Sequence, residues 1–342
     1  MASGDKTIVP ATAAGFYSLL GSIEKGAGDT LDLPEGMANI GGNGKGFIVP
    51  AKTDWDPTNN NDGTFSSLSL GDDIYVYAVA DTSGDAVWAA SKNSTYPDGS
   101  SESESRKIGG FHFGRVRTTA QAFDPAATLS QQIIPNSVWD LMHRPACDPT
   151  GFVEIIPGQS WANIYLLSID GVAWPDTGVL SAYNAIPLTG TDGYAYYDYR
   201  RLVRNSGMRL ITLDEALIMA YGVPQGATGL SGRTNTGQHT DYGFECVSCL
   251  NIDQPSGNVW QLIGNSIFDR NSSPGWSDEQ NVGKDGSEDH GQIYQDEARV
   301  AVFGGYWGNT SQAGARCLAL YYTPWGVSTT TGVRAACDSL RH

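Results

Sequence analysis

The chain has 342 residues, of which 40% are hydrophobic and 17% charged, and this length predicts two domains with ordinary packed cores. Its 42 glycines, 9 tryptophans and 16 tyrosines are typical of a loop-rich, mostly β protein. A formal net charge of −16 without a basic cluster argues against a general nucleic-acid binder, and no apolar run approaches the roughly 20 residues of a membrane span.

Residues 1–141 predict a small β-sandwich. The first 60 residues are weakly patterned, and Asp54–Gly63 is rich in turn residues and predicts a loop. Met1–Pro10 lacks the charged-then-apolar layout of a secretory signal, so synthesis in the cytoplasm without a signal peptide is expected. Runs of β-branched and aromatic residues predict strands at Phe47–Val49, Asp73–Ala80, Ala86–Ala89 and Lys107–Val116.

Residues 142–342 predict a second domain that contains the clearest helix of the sequence. Strands are expected at Phe152–Pro157 and Ala162–Ile169. Thr212 and Glu215 form a capping box, in which the Thr212 hydroxyl accepts from the Glu215 amide at the start of a helix. The helix is expected to end at Gly222 and to bury Leu213, Ala216, Leu217 and Ala220.

Groups that could carry catalysis are sparse, and no catalytic residue is predicted. The histidines (His112, His143, His239, His290 and His342) are scattered, and no nucleophile elbow, phosphate loop or zinc-protease motif is present. Cys246 and Cys249 form a Cys-x-x-Cys pair without the two further ligands that a zinc site needs. The five cysteines (Cys147, Cys246, Cys249, Cys317 and Cys337) are therefore interpreted as buried or incidental thiols, with a disulfide or metal role as the alternative.

An acidic loop between Ser277 and His290 offers hard oxygen ligands of the kind that bind calcium. The carboxylates are Asp278, Glu279, Asp285, Glu288 and Asp289. Their spacing does not match the EF-hand loop, which favours a solvated surface loop. No cofactor is predicted, and calcium is left open.

The segment Arg299–Asp338 mixes two kinds of residue. Glycines permit unusual backbone conformations, and tryptophan or arginine can anchor such loops by packing and multiple hydrogen bonds. Trp307, Arg316, Trp325 and Arg334 supply such anchors, together with Trp260 upstream. Between them lie small, polar and tyrosine residues of the kind that antibody loops use for adaptable recognition. Composition alone also allows a Gly- and Tyr-rich β region that has no binding partner.

Several motifs resemble a known family. Gly257-Asn258-Val259-Trp260, Phe303-Gly304-Gly305 with Trp307, and Gly332-Val333-Arg334 are similar to the C-type lectin fold of the formylglycine-generating-enzyme type. Further segments resemble the major tropism determinants of phages, in order along residues 70–340. These segments are Arg106–His112, Val138–Asp140, Arg144–Ala146, Trp161–Leu167 and the block from Phe303 to Asp338.

The resemblance implies an α+β, mostly β protein: an N-terminal β-sandwich, followed by a C-type lectin-like domain with a variable ligand-binding face at about 303–334. In that family a diversity-generating retroelement rewrites chosen codons at adenines, which yields residues such as Tyr, Ser, Thr, Gly, Ala and Asn. The matching positions, called here the variable face, are Tyr306, Gly308, Asn309, Thr310, Ala319, Tyr321, Tyr322, Gly326, Ser328, Thr330 and Thr331. Gln312 also falls on a family variable site, but such codons do not encode glutamine.

The resemblance further implies a homotrimer on a phage tail fibre that binds a host-surface receptor, protein or glycan, and also contacts other virion tail proteins. Tyr306, Tyr321 and Tyr322 are the predicted hot spots, because tyrosine offers a large contact area at low entropy cost. The family's β-prism ahead of the sandwich is not expected here, since residues 1–141 leave little room for it.

Two other functions stay open at this point. A structural fibre or decoration subunit of the virion would bind other virion proteins and have no affinity for host cells. An oxidase of the formylglycine-generating type would use a reactive cysteine pair, for which Cys317 and Cys337 lie in the matching block.

Overall fold

The structure, a computed structural model, describes residues 15–42, 46–226, 229–269, 273, 275–277, 283–285 and 292–340, with the backbone alone at 277, 285, 293 and 295. The chain divides into two compact units. The described residues of Met1–Gly114, Gln131–Arg144 and Leu340–His342 form unit 1, and those of Arg115–Ser130 and Pro145–Ser339 form unit 2. The domain boundary at residue 141 stays a prediction.

Unit 1 is built almost entirely from short antiparallel strands. They form two three-stranded sheets, β1-β4-β5 and β2-β3-β6, and one sheet of order β10-β9-β7-β8 with β11 on β9. The strands are β1 (Tyr17–Leu19), β2 (Glu24–Lys25), β3 (Leu31–Leu33), β4 (Gly36–Asn39), β5 (Gly46–Val49), β6 (Lys52–Trp55), β7 (Asp73–Ala80), β8 (Ala86–Ser91), β9 (Ser105–Val116), β10 (Ser130–Ile133) and β11 (Trp139–Asp140). A short 3-10 turn spans Pro135–Ser137.

The predicted hairpin of unit 1 is confirmed by the antiparallel pairing of β7 with β8. Ile74, Val76 and Ala78 are fully buried, and β8 pairs with β7 from Tyr75↔Ser91 to Ala80↔Ala86. One core joins these residues to apolar side chains of β3–β6 such as Leu31 and Val49. The six strands before residue 56 were not predicted, apart from Phe47–Val49, and Asp54 and Trp55 belong to β6 rather than to a loop.

Unit 2 contains a four-stranded sheet, β12-β13-β24-β16, and a sheet of order β18-β21-β17-β23 with β22 on β21. Two hairpins, β14-β15 and β19-β20, complete it. The strands are β12 (Phe152–Ile156), β13 (Ser160–Asn163), β14 (Leu167–Ile169), β15 (Val179–Ser181), β16 (Arg209–Leu210), β17 (Trp260–Leu262), β18 (Phe268–Asp269), β19 (Gly275–Ser277), β20 (Ile293–Gln295), β21 (Ala298–Phe303), β22 (Leu318–Tyr322), β23 (Thr331–Gly332) and β24 (Ala335–Asp338). The helices are α1 (Tyr196–Asn205) and α2 (Leu213–Met219), with 3-10 turns at Thr119–Gln121, Gly190–Asp192, Thr240–Tyr242, Gly283–Asp285 and Trp307–Gln312. No helix in these described ranges is long and apolar enough to cross a membrane.

The capping box of α2 is confirmed, but its buried face differs from the predicted one. Thr212 Oγ1 accepts from the Glu215 amide at 3.3 Å, and the Glu215 carboxylate accepts from the Thr212 amide at 2.9 Å. Of the predicted face, Ala216 and Ala220 are buried, but Leu213 and Leu217 are exposed. Glu215 is buried instead and pairs with Arg209 at the strand β16. The helix is therefore rotated about its axis toward the four-stranded sheet.

Two local predictions in unit 2 were incomplete. The expected single strand Ala162–Ile169 is divided, because β13 ends at Asn163 and β14 begins at Leu167. Helix α1 was not predicted, although Tyr196, Tyr199 and Val203 recur at the i, i+3, i+7 spacing of a buried helix face. Its tyrosines, which favour strands, obscured that period.

A buried ionic cluster holds the segment between Gln238 and Asp253. His239 Nδ1 lies 2.7 Å from Glu245 Oε2, and His239 Nε2 lies 3.1 Å from Asp253 Oδ1. Arg115 Nε contacts the same Glu245 oxygen at 3.0 Å. Burial lowers the pKa of His239, but the Asp253 charge and the two hydrogen bonds raise it to about 9. The imidazole is therefore positively charged at neutral pH.

We expect unit 2 to lose stability in mild alkali. The folded pKa of His239 lies above its unfolded value of about 6.5, so its stabilisation is complete below that pH and is lost as the pH rises through about 9. The loss amounts to as much as about 3 kcal/mol in the free energy of unfolding. Urea unfolding at several pH values measures it, with His239→Gln as the control whose dependence on pH should be flatter. Parallel curves for the two proteins would contradict the assignment.

Candidate functional site

Five aromatic side chains form a continuous row in unit 2, called here the aromatic row. In order they are Trp307, Tyr306, Trp260, Tyr322 and Tyr321, with successive ring centroids 5.3, 6.4, 6.3 and 4.7 Å apart. The row brings together the three predicted hot-spot tyrosines, of which Tyr306 follows β21 and the other two end β22.

Two glycines at the end of β21 direct the chain into this row. Gly304 and Gly305 have φ of 92° and 85°, which side chains with a Cβ rarely adopt. A Cβ on Gly304 would also lie 2.7 Å from the carbonyl oxygen of Pro255. Tyr306 and Trp307 follow directly, and the Trp307 amide donates to the Asn258 carbonyl at 3.1 Å. The glycine pair of the sequence motif therefore has a conformational cause.

A bulge in β22 turns Tyr321 toward solvent. Val300 pairs with Tyr322 and Val302 pairs with Ala319. Between these two pairs the chain advances three residues along β22 but only two along β21, which is a β-bulge. The extra residue interrupts the in–out alternation, and both Leu320 and Tyr321 are exposed. Tyr321 is 60% exposed and stacks on Tyr322 at an interplanar angle of 26°.

Burial falls off across the aromatic row. Trp260 is 2% exposed, Tyr306 and Tyr322 are half-buried on either side of it, and Tyr321 lies outermost. The hydrogen bond with Tyr322 raises the pKa of Tyr321 to about 12, so its hydroxyl remains protonated at neutral pH. The exposed tyrosine thus rests on a ring that is itself supported by the core.

Hydroxyl groups continue the face beyond the rings. The Tyr322 hydroxyl lies 3.4 Å from Thr330 Oγ1, and Thr330 Oγ1 lies 2.9 Å from Ser328 Oγ. On the other side of the row, Asn309 Oδ1 accepts from the Tyr306 amide at 2.9 Å and caps the turn Trp307–Gln312. Thr310 in that turn has φ of 45°, in the left-handed region. Several predicted face residues therefore also shape the loops that carry them.

The eleven residues of the variable face differ in exposure. Gly308, Thr310, Tyr321 and Gly326 are exposed; Tyr306, Asn309, Tyr322, Ser328 and Thr330 are half-buried; Ala319 and Thr331 are buried. The expectation that every side chain of the variable face points into solvent is wrong for Ala319 and Thr331. Ala319 pairs with Val302 and Thr331 with Trp260 inside the sheet, which leaves 9% and 5% exposed.

The predicted anchors also divide. Trp260 and Arg334 are buried, and Trp307 and Trp325 are half-buried. Arg316 is exposed, and its guanidinium makes no hydrogen bond or ion pair within the described part of the chain, so its prediction as an anchor is wrong. Arg316 lies on a surface loop beside the exposed helix residue Leu217.

Arg334 is the anchor that carries the most contacts. Its Nη1 donates to the carbonyls of Asn163 and Ile164 at 2.7 Å, and its Nη2 donates to those of Asp253 and Gln254 at 2.8 and 3.2 Å. Its Nε donates to Gln261 Oε1 at 2.9 Å. Burial lowers the pKa of Arg334 to about 10, which still leaves it charged at neutral pH.

Sequence reasoning missed the apolar neighbours of Tyr321. Leu318 and Leu320 on β22, and Val327 in the following turn, are 38, 51 and 50% exposed. Their only sequence signal is a run of large apolar residues beside a glycine-rich turn, which strand patterns normally assign to the core. They add an apolar surface to a face whose predicted members are uncharged.

The candidate catalytic groups are not assembled. Cys337 contacts Cys147. Cys317 lies next to Gly305 instead, and its Sγ would be 3.4 Å from a Cβ placed on that glycine. Within the described ranges no three His, Cys, Asp or Glu side chains are placed to hold a metal ion. Of the acidic loop, Asp278, Glu279, Glu288, Asp289 and His290 lie outside the described residues, and Asp285 is described by its backbone alone.

Comparisons with known proteins agree with this geometry. A family model described as "Mtd second domain" matches residues 24–140. The "Tail fiber receptor-binding protein" of Bordetella phage BPP-1 is 30% identical over 303 residues, which cover 81% of this chain and 74% of that protein.

Solved structures give the same result for the fold. The Major Tropism Determinant P3c variant has a TM-score of 0.76 at 23% identity, covering 95% of this chain and 86% of that one. The M1 variant has a TM-score of 0.72 at 24% identity, covering 97% and 85%. These likenesses confirm the predicted fold class, a mostly β chain with an N-terminal β-sandwich and a C-type lectin-like domain.

We expect Arg334→Lys to destabilise unit 2 by about 3–5 kcal/mol. A lysine cannot donate to five acceptors at once, so buried carbonyls lose their partners. The free energy of unfolding in urea measures the loss. The matched control is Arg316→Lys at the exposed loop, which should change stability by less than about 0.5 kcal/mol. Equal losses in the two variants would contradict the anchoring role of Arg334.

We expect the stacked tyrosines to differ in their effect on stability. Tyr322→Ala removes a ring that packs on Trp260 and should cost about 1–2 kcal/mol, whereas Tyr321→Ala should leave the melting temperature nearly unchanged. Thermal unfolding of the two single variants tests this. A drop for Tyr321→Ala as large as that for Tyr322→Ala would mean that Tyr321 belongs to the core.

Proposed function

Because the chain belongs to the family of phage major tropism determinants, we propose that it is a tail-fibre receptor-binding protein that contacts the host-cell surface through the variable face. The observation that carries the proposal is the exposed Tyr321, stacked on Tyr322 and supported through it by the buried Trp260. A large ring held in one orientation before binding loses little entropy when a receptor covers it.

The contact surface combines ring faces, hydroxyls and apolar groups. Tyr306, Tyr321 and Tyr322 are its hot spots, because aromatic side chains supported by a packed centre dominate most interfaces. Thr330 and Ser328 provide hydroxyls beside them. The exposed and half-buried members Gly308, Asn309, Thr310 and Gly326 complete the surface, whereas Ala319 and Thr331 act from beneath by packing.

The chemistry of the face favours recognition by shape over long-range charge. None of its eleven residues is an Asp, Glu, Lys, Arg or His, although the chain carries a net charge of −16. Short side chains bury little area, so the affinity of a single face is modest. A homotrimer on a fibre, and several fibres on a virion that also contains other tail proteins, would raise the effective affinity by avidity.

Binding, and not catalysis, is the role we propose. The thiol at Cys337 contacts Cys147 in the four-stranded sheet, while Cys317 lies next to Gly305 under the variable face, so the two cysteines of the oxidase alternative do not act as a pair. The relative from the Bordetella phage is likewise described as a receptor-binding protein.

We expect Tyr321→Ala to weaken binding to the host cell at least about tenfold while the fold is retained. The measurement is inhibition of phage adsorption by the purified chain, using the phage that encodes it. Tyr96→Ala is the matched control, since Tyr96 is 43% exposed in unit 1, far in sequence from the face. The control should inhibit as wild type does. Equal inhibition by both variants would exclude the variable face as the receptor site.

A further inference from the structure

Two cysteines 190 residues apart meet where the first and last segments of unit 2 run side by side. Pro145 pairs with Ser339 in an antiparallel bridge, and the Ala146 amide donates to the Asp338 carbonyl at 2.9 Å. The next residue on the first segment is Cys147, and the preceding residue on β24 is Cys337. The backbone hydrogen bonds therefore bring these two residues to opposite positions.

The thiols are in contact at this point. The Cys147 amide donates to Cys337 Sγ at 3.2 Å. The Cys147 thiol lies 3.6 Å from the Asp148 carbonyl oxygen, and the Cys337 thiol lies 4.0 Å from that of Gly207. Residues opposite each other on antiparallel strands have Cα atoms about 4.5–5.5 Å apart, which lies within the roughly 4.4–6.8 Å range of disulfides. A sulfur–sulfur bond can therefore form here without a large movement of the backbone.

We propose that Cys147 and Cys337 are an oxidation site, which a small-molecule disulfide converts into an intrachain disulfide bond. The pairing raises the pKa of Cys147 and lowers that of Cys337, so Cys337 is the first nucleophile. Its thiol gives a proton to water, and the thiolate attacks one sulfur of the small disulfide and releases one small thiol. The Cys147 sulfur, after losing its proton to water, then attacks the Cys337 sulfur and releases the second. Two protein thiols are oxidised and one small disulfide is reduced to two thiols.

A lowered pKa distinguishes the Cys337 thiol from those of Cys246 and Cys249. The hydrogen bond with Cys147 lowers the pKa of the Cys337 thiol to about 7, which supplies the attacking thiolate near neutral pH. Burial raises the pKa of Cys246 to about 12, and its thiol donates to the Ser256 carbonyl. The Cys249 thiol instead donates to the Thr118 carbonyl. Burial also raises the pKa of Cys249, so neither thiol of the Cys-x-x-Cys motif is activated as Cys337 is.

The bond would enclose nearly all of unit 2. The variable face and Arg334 lie between the two cysteines in the chain, so a crosslink limits the conformations of their unfolded state. All five thiols are free in the structure, the form expected in a reducing cytoplasm. Oxidation outside the cell would then stabilise the unit after release, independently of which receptor the face binds.

The test is to incubate the purified full chain in glutathione buffers of increasing oxidised fraction, quench in acid, alkylate the remaining thiols and analyse peptides by mass spectrometry. We expect a Cys147–Cys337 crosslink, alkylation of the other three cysteines, and a melting temperature higher by about 5–10 °C than that of the reduced chain. Reduction should reverse both changes.

Cys147→Ser and Cys337→Ser should each lose the crosslink and the rise in melting temperature, and Cys317→Ser, the matched control, should keep both. If one serine variant fails to fold, the other and the wild-type peptide map still decide the result. A crosslink between other cysteines, a stable mixed disulfide on Cys147 or Cys337, or five free thiols in fully oxidised glutathione would overturn the proposal.

Discussion

The buried guanidinium of Arg334 is the contact on which the geometry of the variable face depends. It donates to carbonyls at the end of β13 and in the loop before β17, and so ties both to the segment that leaves the face. A charge buried this deeply is stable only when all its donors have partners, and here five acceptors provide them. Because the planar group admits one arrangement of those carbonyls, the backbone below the face is held in one conformation.

The residues of the variable face lie at different depths above this rigid backbone, and the depth of each residue limits which side chains can replace it. Thr331 and Ala319 lie within the sheet, so a larger side chain there would disturb the packing around Trp260. Gly308 and Gly326 are exposed, yet a Cβ on either would come within 2.7 Å of the Tyr306 ring or 2.8 Å of Thr323 Oγ1. Tyr321 has neither constraint. On this face, the exposed Tyr321 can be replaced most freely, and the buried Ala319 and Thr331 least freely.

Local signals in the sequence predicted those elements whose side chains follow a single period. The hairpin of β7 and β8 is two adjacent runs of β-branched and aromatic residues, and the capping box of α2 lies within four residues. The strands before residue 56 were missed because they are two to four residues long and depend on contacts far along the chain. Helix α1 was missed because its tyrosines have a higher preference for strands, and the tertiary packing of Tyr199 and Leu202 overrides that preference.

The same distinction between local and long-range causes explains the site. The motif glycines and Trp260 could be identified from their order in the sequence. Close approach of another backbone requires glycine, and the buried ring requires a large aromatic residue. The burial of Ala319 and the exposure of Leu320 and Tyr321 could not, because both follow from one inserted residue in the pairing of β21 with β22. A register without that bulge would place Tyr321 on the same side as Ala319, inside the sheet. The exposure of Tyr321 is therefore a product of strand pairing, and the order of residue types alone does not determine which positions of the variable face reach solvent.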